Sequence, residues 1–150
     1  MRVVVQRVSR ASIRIDGKQG GKIGPGLVVL VGFEEEDETE DIEWICRKLL
    51  NLRIFDDQDG VMNRSIEDIG GAFLLVSQFT LHASTRKGNR PSYIKAARPE
   101  KAIPLYDQFV IKMRNSTGLA IETGEFGAHM EVELVNDGPV TISMDTKNKE

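Results

Sequence analysis

The run Leu27-Val28-Val29-Leu30-Val31-Gly32 is apolar without interruption and follows the turn residues Gly24-Pro25-Gly26. An unbroken apolar run of this length predicts a strand that is buried on both of its faces. Upstream, Ile13 and Ile15 alternate with polar residues, which indicates a strand with one buried face. Comparable patterns predict strands at residues 3–8, 12–16, 52–55, 72–81, 119–123, 128–135 and 140–144.

Two helices are predicted between these strands. Asp37, with Glu40 three residues later, is predicted to begin the first helix, where acidic side chains suit the helix dipole. Pro104 is predicted near the first turn of the second helix, and Gly118 at its end. Apolar residues recur at spacings of three and four in both segments: Ile42, Ile45, Cys46, Leu49 and Leu50 in the first, and Leu105, Tyr106, Phe109 and Met113 in the second.

These elements predict an α+β fold, with a curved, barrel-like, mostly antiparallel β-sheet and two helices packed on it. The chain has 150 residues, a common size for one domain, and no linker or internal repeat interrupts it. Residues 1–150 are therefore interpreted as a single domain with a polar tail at about residues 145–150.

The composition is 40% hydrophobic and 29% charged, which is typical of a soluble globular protein. The one cysteine, Cys46, cannot form an internal disulfide, and there is no Cys-x-x-Cys pair for zinc or redox chemistry. The sequence contains no recognisable signal peptide and no apolar run long enough to cross a membrane. We therefore expect a cytoplasmic protein with no membrane partner.

The distribution of charge is uneven. The net charge of −3 argues against bulk nucleic-acid binding. Between Ile69 and Pro99, however, there is no acidic residue, whereas five basic ones are present: Arg86, Lys87, Arg90, Lys95 and Arg98. Two interpretations stay open here, a local positive patch that meets phosphates and a solvated loop.

The common catalytic machineries are missing. Neither His82 nor His129 belongs to a Ser-His-Asp or Cys-His pattern, and neither lies at a metal-ligand spacing. No glycine-rich phosphate loop is present either. We expect no metal and no cofactor.

Two segments are unusual. Ser77-Gln78-Phe79-Thr80-Leu81 places three hydrogen-bonding side chains at the end of an apolar strand, beside a loop, where sites are often built. The alternative is a half-buried strand whose polar residues face outward. Asn136-Asp137-Gly138-Pro139-Val140-Thr141 lies between two predicted strands, and its composition is that of a hairpin turn.

Taken together, these two segments resemble the signatures of the D-aminoacyl-tRNA deacylase family, and their separation agrees with that family. Three further blocks are similar to it: Leu49-Leu50-Asn51-Leu52-Arg53-Ile54-Phe55, Lys87-Gly88-Asn89-Arg90-Pro91-Ser92-Tyr93 and Thr123-Gly124-Glu125-Phe126-Gly127-Ala128-His129-Met130. The resemblance extends from Met1 to about Met144 and leaves only the polar tail outside.

The resemblance implies hydrolysis of the ester between a D-amino acid and the 3′ end of tRNA, by a homodimer with active sites at the subunit interface. Gly138-Pro139 would form a cis peptide that reaches into the partner's site and excludes L side chains. Arg7 would hold this motif, although a surface strand charge is the alternative. A gate that excludes only L side chains cannot exclude hydrogen, so glycyl-tRNA is an expected second substrate.

The same resemblance implies the roles of the site residues. Ser77, Gln78, Phe79 and Thr80 would form the catalytic segment, with backbone N–H groups at Phe79 and Thr80 as donors to an oxyanion. We interpret Thr80 as a hydrogen-bonding or positioning residue because no adjacent base activates it, and we expect the substrate's 2′-hydroxyl to assist.

Binding of the tRNA end is implied at two places. Phe126 and Met130 would pack against the terminal adenine, with a core role as the alternative. Lys87, Arg90 and Arg98 would meet the acceptor-stem phosphates. Two other functions stay open on the sequence: a non-catalytic RNA-binding domain, and an unrelated hydrolase that uses Thr80 as its nucleophile.

Overall fold

Eight strands and two α-helices form the fold, and the computed structural model describes all 150 residues. In chain order the elements are β1 (Arg2–Ile15), β2 (Lys18–Ile23), β3 (Gly26–Gly32), α1 (Thr39–Asn51), β4 (Phe55–Asp56), β5 (Met62–Arg64), β6 (Ala72–Ser77), a 3₁₀ helix (Phe79–His82), α2 (Pro99–Ser116), β7 (Ile121–Thr123) and β8 (Met130–Asp145). Neither α-helix is long and apolar enough to cross a membrane.

The main sheet is mixed. Strand β1 pairs antiparallel with β2, β3 and β8, whereas the pairs β3–β6 and β6–β7 are parallel. The far edges approach each other, since Gly21 in β2 lies against Glu122 in β7, so the sheet is nearly closed into a barrel. This confirms the predicted α+β fold with a barrel-like sheet, and it adds that two of the five strand pairings are parallel.

Strand β3 is buried on both faces, as its apolar run predicts. Leu27 and Val29 face the main core beneath the two helices, whereas Val28 packs on the opposite face with Ile13 and Leu74. Each face of β3 is thus covered by different elements, so β3 and its parallel neighbour β6 are firmly held. The ends of these two strands position the segment described below.

Strand β1 is one element, although the sequence predicts two strands there. Its pairing with β8 shifts register near Val8. Val3 and Val5, before the shift, pack in the main core, whereas Ala11 and Ile13, after it, pack on the opposite face of the sheet. A bulge of this kind bends a strand without ending it, which breaks the alternation in the sequence.

Four other predicted boundaries need correction. Of residues 52–55 only Phe55 pairs as a strand, and the carbonyl of Ile54 accepts a hydrogen bond from the Arg7 side chain. Strand β6 ends at Ser77 and not at residue 81.

Helix α1 is capped by Glu38, whose backbone N–H donates to the Asp41 carboxylate. Asp37, which was predicted to begin this helix, is instead buried against the Met1 amino group. Pro104 lies in the second turn of α2 on an exposed face.

Residues 130–135 and 140–144 belong to a single strand, β8, and residues 128–129 lie just before it, so the hairpin turn that the composition of Asn136–Pro139 indicates is wrong. From Gln6 to Val8, β1 advances by two residues, whereas β8 advances by five between their partners Thr141 and Asn136. The three additional residues bulge out of the sheet while β8 continues alongside β1. The polar tail is also partly anchored, since Thr146 is buried and Lys147 bonds to Asp41.

Candidate active site

The turn Ser77–His82 begins where two parallel strands end. Val31 and Ser77 are paired across β3 and β6, and the N–H of Gln78 continues the ladder with a 2.6 Å bond to the carbonyl of Val31. Gly32 then lies directly under the turn: a Cβ built there would be 2.7 Å from the Gln78 carbonyl oxygen. The absence of a side chain at Gly32 therefore lets the turn pack on the end of β3.

The turn leaves two backbone donors free. The N–H of Leu81 donates to the carbonyl of Gln78, and the N–H of Ala83 to that of Thr80. The N–H groups of Phe79 and Thr80 make no hydrogen bond within the chain, as expected for the first residues of a short helix. These two donors are available to an oxygen that approaches the turn.

The Thr80 hydroxyl is engaged by a neighbour within the turn. The Gln78 amide nitrogen donates to the Thr80 oxygen at 2.5 Å. The nearest histidine in the sequence, His82, is fully buried and its ring nitrogens make no hydrogen bond. Burial lowers the pKa of His82, so the imidazole is neutral near pH 7.

A cavity of about 300 Å³ opens beside the turn. Ser77, Gln78 and Phe79 line one side of it, and Phe126 and Met130 line another. Most of the remaining lining is apolar, including Val31, Phe33, Val76, Ala97, Ala102 and Val132. An apolar cavity with a few polar groups at one edge is the usual form of a ligand site.

Two residues that the sequence analysis did not single out for the site shape this cavity. The ring of Tyr106 packs against Phe126 with centroids 6.0 Å apart, and the Tyr106 hydroxyl donates to the Leu75 carbonyl at 3.0 Å. Burial raises the pKa of Tyr106 to about 12. Gly124 leaves room for Met130, because a Cβ there would be 2.5 Å from the Met130 sulfur. Tyr106 was visible in the sequence only as one more apolar position of a helix.

The bulge formed by residues 136–140, here called the Pro139 bulge, is held by Asn136 and Arg7. The Asn136 side chain accepts from the Val140 N–H at 3.0 Å and donates to the Thr141 hydroxyl at 3.1 Å, so it joins both ends of the bulge. Arg7, 6% exposed, donates to the carbonyls of Asp137 and Ile54 and pairs with the Asp56 carboxylate. Arg7 is therefore a buried residue that joins the bulge to the segment at Ile54 and Asp56, and it is not a surface charge.

The tip of the Pro139 bulge faces solvent. Gly138 and Pro139 are exposed, the peptide bond between them is cis, and Gly138 has φ +121°. Neither residue lines the cavity of its own chain, and Arg7 does not line it either. The structure thus brings together Ser77, Gln78, Phe79, Phe126 and Met130, with Thr80 beside them, but leaves Arg7, Gly138 and Pro139 elsewhere.

Two of the predicted phosphate-binding residues, Lys87 and Arg90, lie on an exposed loop, and the third, Arg98, is the exposed N-cap residue of α2. Ser84 and Ser92 exchange backbone hydrogen bonds of 2.8 and 2.9 Å, which close the loop that carries Lys87 and Arg90. Neither cation lines the cavity or forms an ion pair within the chain. A larger open cleft of about 430 Å³ lies beside Trp44, but it contains none of the predicted site residues.

Comparisons with known proteins point to one family. The sequence model of the family described as D-Tyr-tRNA(Tyr) deacylase matches residues 4–145. A D-aminoacyl-tRNA deacylase from Bacteroides thetaiotaomicron is 63% identical over 150 residues, which is 100% of both chains.

Two solved structures share the fold. One is titled c-Myc DNA Unwinding Element Binding Protein; it is 42% identical, covers 97% of this chain and 99% of its own, and has a TM-score of 0.92. The other, titled as a probable eukaryotic D-amino acid tRNA deacylase, has a TM-score of 0.80 at 19% identity and covers 95% of this chain and 97% of its own. At that identity it supports the fold alone.

Proposed function

The chain belongs to the D-Tyr-tRNA(Tyr) deacylase family, and we propose how this D-aminoacyl-tRNA deacylase recognises and hydrolyses its substrate. The proposal has three parts: an oxyanion site in the Ser77–His82 turn, an adenosine site in the adjoining cavity, and a chiral gate contributed by a second subunit. The observation that carries it is the turn itself, where two free backbone N–H groups adjoin an apolar cavity.

Hydrolysis requires little chemistry from the side chains. Water attacks the carbonyl carbon of the ester, negative charge develops on the carbonyl oxygen, and the bond to the ribose oxygen then breaks as that oxygen takes a proton. The N–H groups of Phe79 and Thr80 would stabilise the developing charge, an effect worth about 2.7–4 kcal/mol for a single donor in other hydrolases. The substrate's 2′-hydroxyl would orient or activate the water.

Thr80 is assigned a positioning role. A threonine nucleophile needs a base to take its proton. The Thr80 hydroxyl oxygen accepts a hydrogen bond from the Gln78 side-chain amide, and an amide nitrogen cannot act as that base. His82 is two residues away but faces the core. Gln78 and Thr80 therefore support each other and hold the shape of the turn.

The cavity would take the terminal adenosine of the tRNA. Phe126 supplies an aromatic surface backed by Tyr106, and Met130 supplies a polarisable apolar one, so both suit the face of a base. The exposed Lys87 and Arg90 would meet the phosphates that lead to it. A tRNA substrate also supports a cytoplasmic location for the enzyme.

The Pro139 bulge would act in the site of a partner subunit. Gly138 and Pro139 protrude from the sheet, Arg7 and Asn136 fix their backbone, and their own cavity lies elsewhere. In a homodimer their carbonyls would occupy the space of an L side chain and leave the D side chain free. Glycine has only hydrogen in that space, so glycyl-tRNA would be hydrolysed too.

Deacylation of matched D-Tyr-tRNA and L-Tyr-tRNA by the purified protein in the presence of a chelator tests this proposal. We expect rapid loss of the D-ester and of glycyl-tRNA, with the L-ester spared. Loss of both tyrosyl esters would contradict the gate but leave the hydrolase. Binding of tRNA with hydrolysis of neither ester would favour a non-catalytic RNA-binding domain.

A further inference from the structure

Phe79, which lines the cavity, forms an aromatic pair with Tyr93 at the edge of the cavity. Their ring centroids are 5.1 Å apart and the rings are inclined at 74°, an edge-to-face contact. Phe79 is 53% exposed and Tyr93 is 40% exposed, whereas most large apolar side chains of this protein are buried. An exposed aromatic pair beside a cavity calls for an explanation that core packing does not give.

Tyr93 is held in place by backbone bonds. The bridge between Ser84 and Ser92 lies directly before it, and the N–H of Ala96 donates to the Tyr93 carbonyl at 3.0 Å. The next bond, from the Ala97 N–H to the Phe33 carbonyl at 2.8 Å, anchors the loop to the end of β3. The backbone at Tyr93 therefore has a fixed position beside the cavity.

The surroundings of the pair are positive. The stretch from Ile69 to Pro99 has no acidic residue, and its five cations are exposed and form no ion pair in the structure: Arg86, Lys87, Arg90, Lys95 and Arg98. Exposed aromatic rings among unpaired cations are the means by which proteins bind single-stranded nucleic acid, since bases stack and phosphates meet charge.

We propose that Tyr93, supported by Phe79, stacks on the nucleotide that directly precedes the terminal adenosine of the tRNA. Phe79 lines the cavity with one side and contacts Tyr93 with the other, so the RNA strand that leaves the cavity passes from Phe79 to Tyr93. The inference rests on the proposed function, because it needs the terminal adenosine in the cavity. Tyr93 would then increase the affinity of the enzyme for esters on RNA but not for the same ester on free adenosine.

The test compares two substrates with the same reacting end: the D-tyrosyl ester of adenosine, and the same ester on a trinucleotide that ends in this adenosine. For the Tyr93→Ala variant, KM for the trinucleotide ester should rise by about tenfold more than KM for the adenosine ester, the size expected for one lost stacking contact. Tyr93→Phe should restore the wild-type ratio, and Tyr93→Leu, which keeps apolar volume at this position, should not.

Ile94→Ala is the matched control, because Ile94 is 89% exposed and adjoins Tyr93 in the same loop. It should shift both KM values equally. An equal shift for Tyr93→Ala would overturn the inference and leave Tyr93 as a support for Phe79. A change in molecular mass on light scattering for Tyr93→Ala would also overturn it, since the pair would then contact a second copy. Failure of the wild-type enzyme on both esters would count against the proposed function instead.

Discussion

His82, the last residue of the turn that carries the proposed oxyanion donors, is fully buried, and neither of its ring nitrogens has a hydrogen-bond partner. Burial lowers the His82 pKa and outweighs the Gly32 backbone and the charge of Glu34, which both raise it; the charges of the Met1 amino group and Arg2 lower it further. The folded protein thus holds this imidazole in its neutral form, and protonation there opposes folding.

We predict that His82 makes the protein sensitive to acid. Its folded-state pKa is below the unfolded value of 6.5, so between these two values the unfolded chain binds more protons. The stabilisation is complete above about pH 6.5 and is lost as the pH falls through the lower folded-state pKa. Urea unfolding between pH 4 and pH 7.5 should show a smaller acid-side loss for His82→Leu than for the wild type.

His129 provides the control for that experiment, because it is the only other histidine and is exposed. His129→Leu should leave the dependence of the unfolding free energy on pH unchanged. Parallel curves for His82→Leu and the wild type would show that the acid-side loss comes from carboxylates, and the assignment to His82 would be wrong.

Among elements, the end of β3 determines the position of the proposed active-site turn. A Cβ at Gly32 would lie 2.7 Å from the Gln78 carbonyl oxygen, 3.1 Å from the His82 ring and 3.2 Å from Leu81 Cβ. The first of these is a backbone atom, so the whole turn must shift to admit a methyl group. The donors at Phe79 and Thr80 would move with it.

Gly32→Ala should therefore lower kcat on D-Tyr-tRNA by roughly 10²-fold, the order expected for a displacement of about 1 Å at reacting groups. It should also cost about 1–3 kcal/mol in the free energy of unfolding because of overpacking. Steady-state kinetics and urea unfolding measure the two effects. Gly118→Ala, where an added Cβ meets nothing within 4 Å, should change neither. A fully active Gly32→Ala enzyme would contradict the claim that the end of β3 sets the position of the turn.

Element by element, prediction from the sequence succeeds where burial sets a period. The β3 run and the apolar stripe of α1 are confirmed, since both report which side chains face the core. It is wrong at β1 and at the Pro139 bulge, because both depend on the register between β1 and β8, two strands that lie more than a hundred residues apart along the chain. Turn composition at Asn136–Pro139 cannot distinguish a hairpin from a bulge within one strand.

At the scale of the whole molecule, motifs identify most of the cavity. Ser77, Gln78, Phe79, Phe126 and Met130 lie around one space, although nearly fifty residues separate Phe79 from Phe126. The contribution of Tyr106 could not be predicted, because a core tyrosine and a tyrosine that supports a site have the same helical spacing. The roles of Gly138 and Pro139 stay predictions, since one chain does not place them at its own cavity.

A mixed dimer with one altered gate and one blocked cavity tests the central claim, a chiral gate that acts across subunits. Gly138→Ala should disturb the gate, because Gly138 has φ +121° and an added Cβ would lie 3.1 Å from the Arg7 guanidinium. Phe126→Glu should block its own cavity with a buried charge. The Gly138→Ala homodimer should hydrolyse both D-Tyr-tRNA and L-Tyr-tRNA, and the Phe126→Glu homodimer neither.

In the mixed dimer, isolated with two different affinity tags, the one open cavity belongs to the Gly138→Ala subunit and the one intact gate to its partner. We predict that this dimer hydrolyses D-Tyr-tRNA and spares L-Tyr-tRNA as the wild type does. Hydrolysis of both esters, as in the Gly138→Ala homodimer, would show that each gate serves its own chain and would contradict the account.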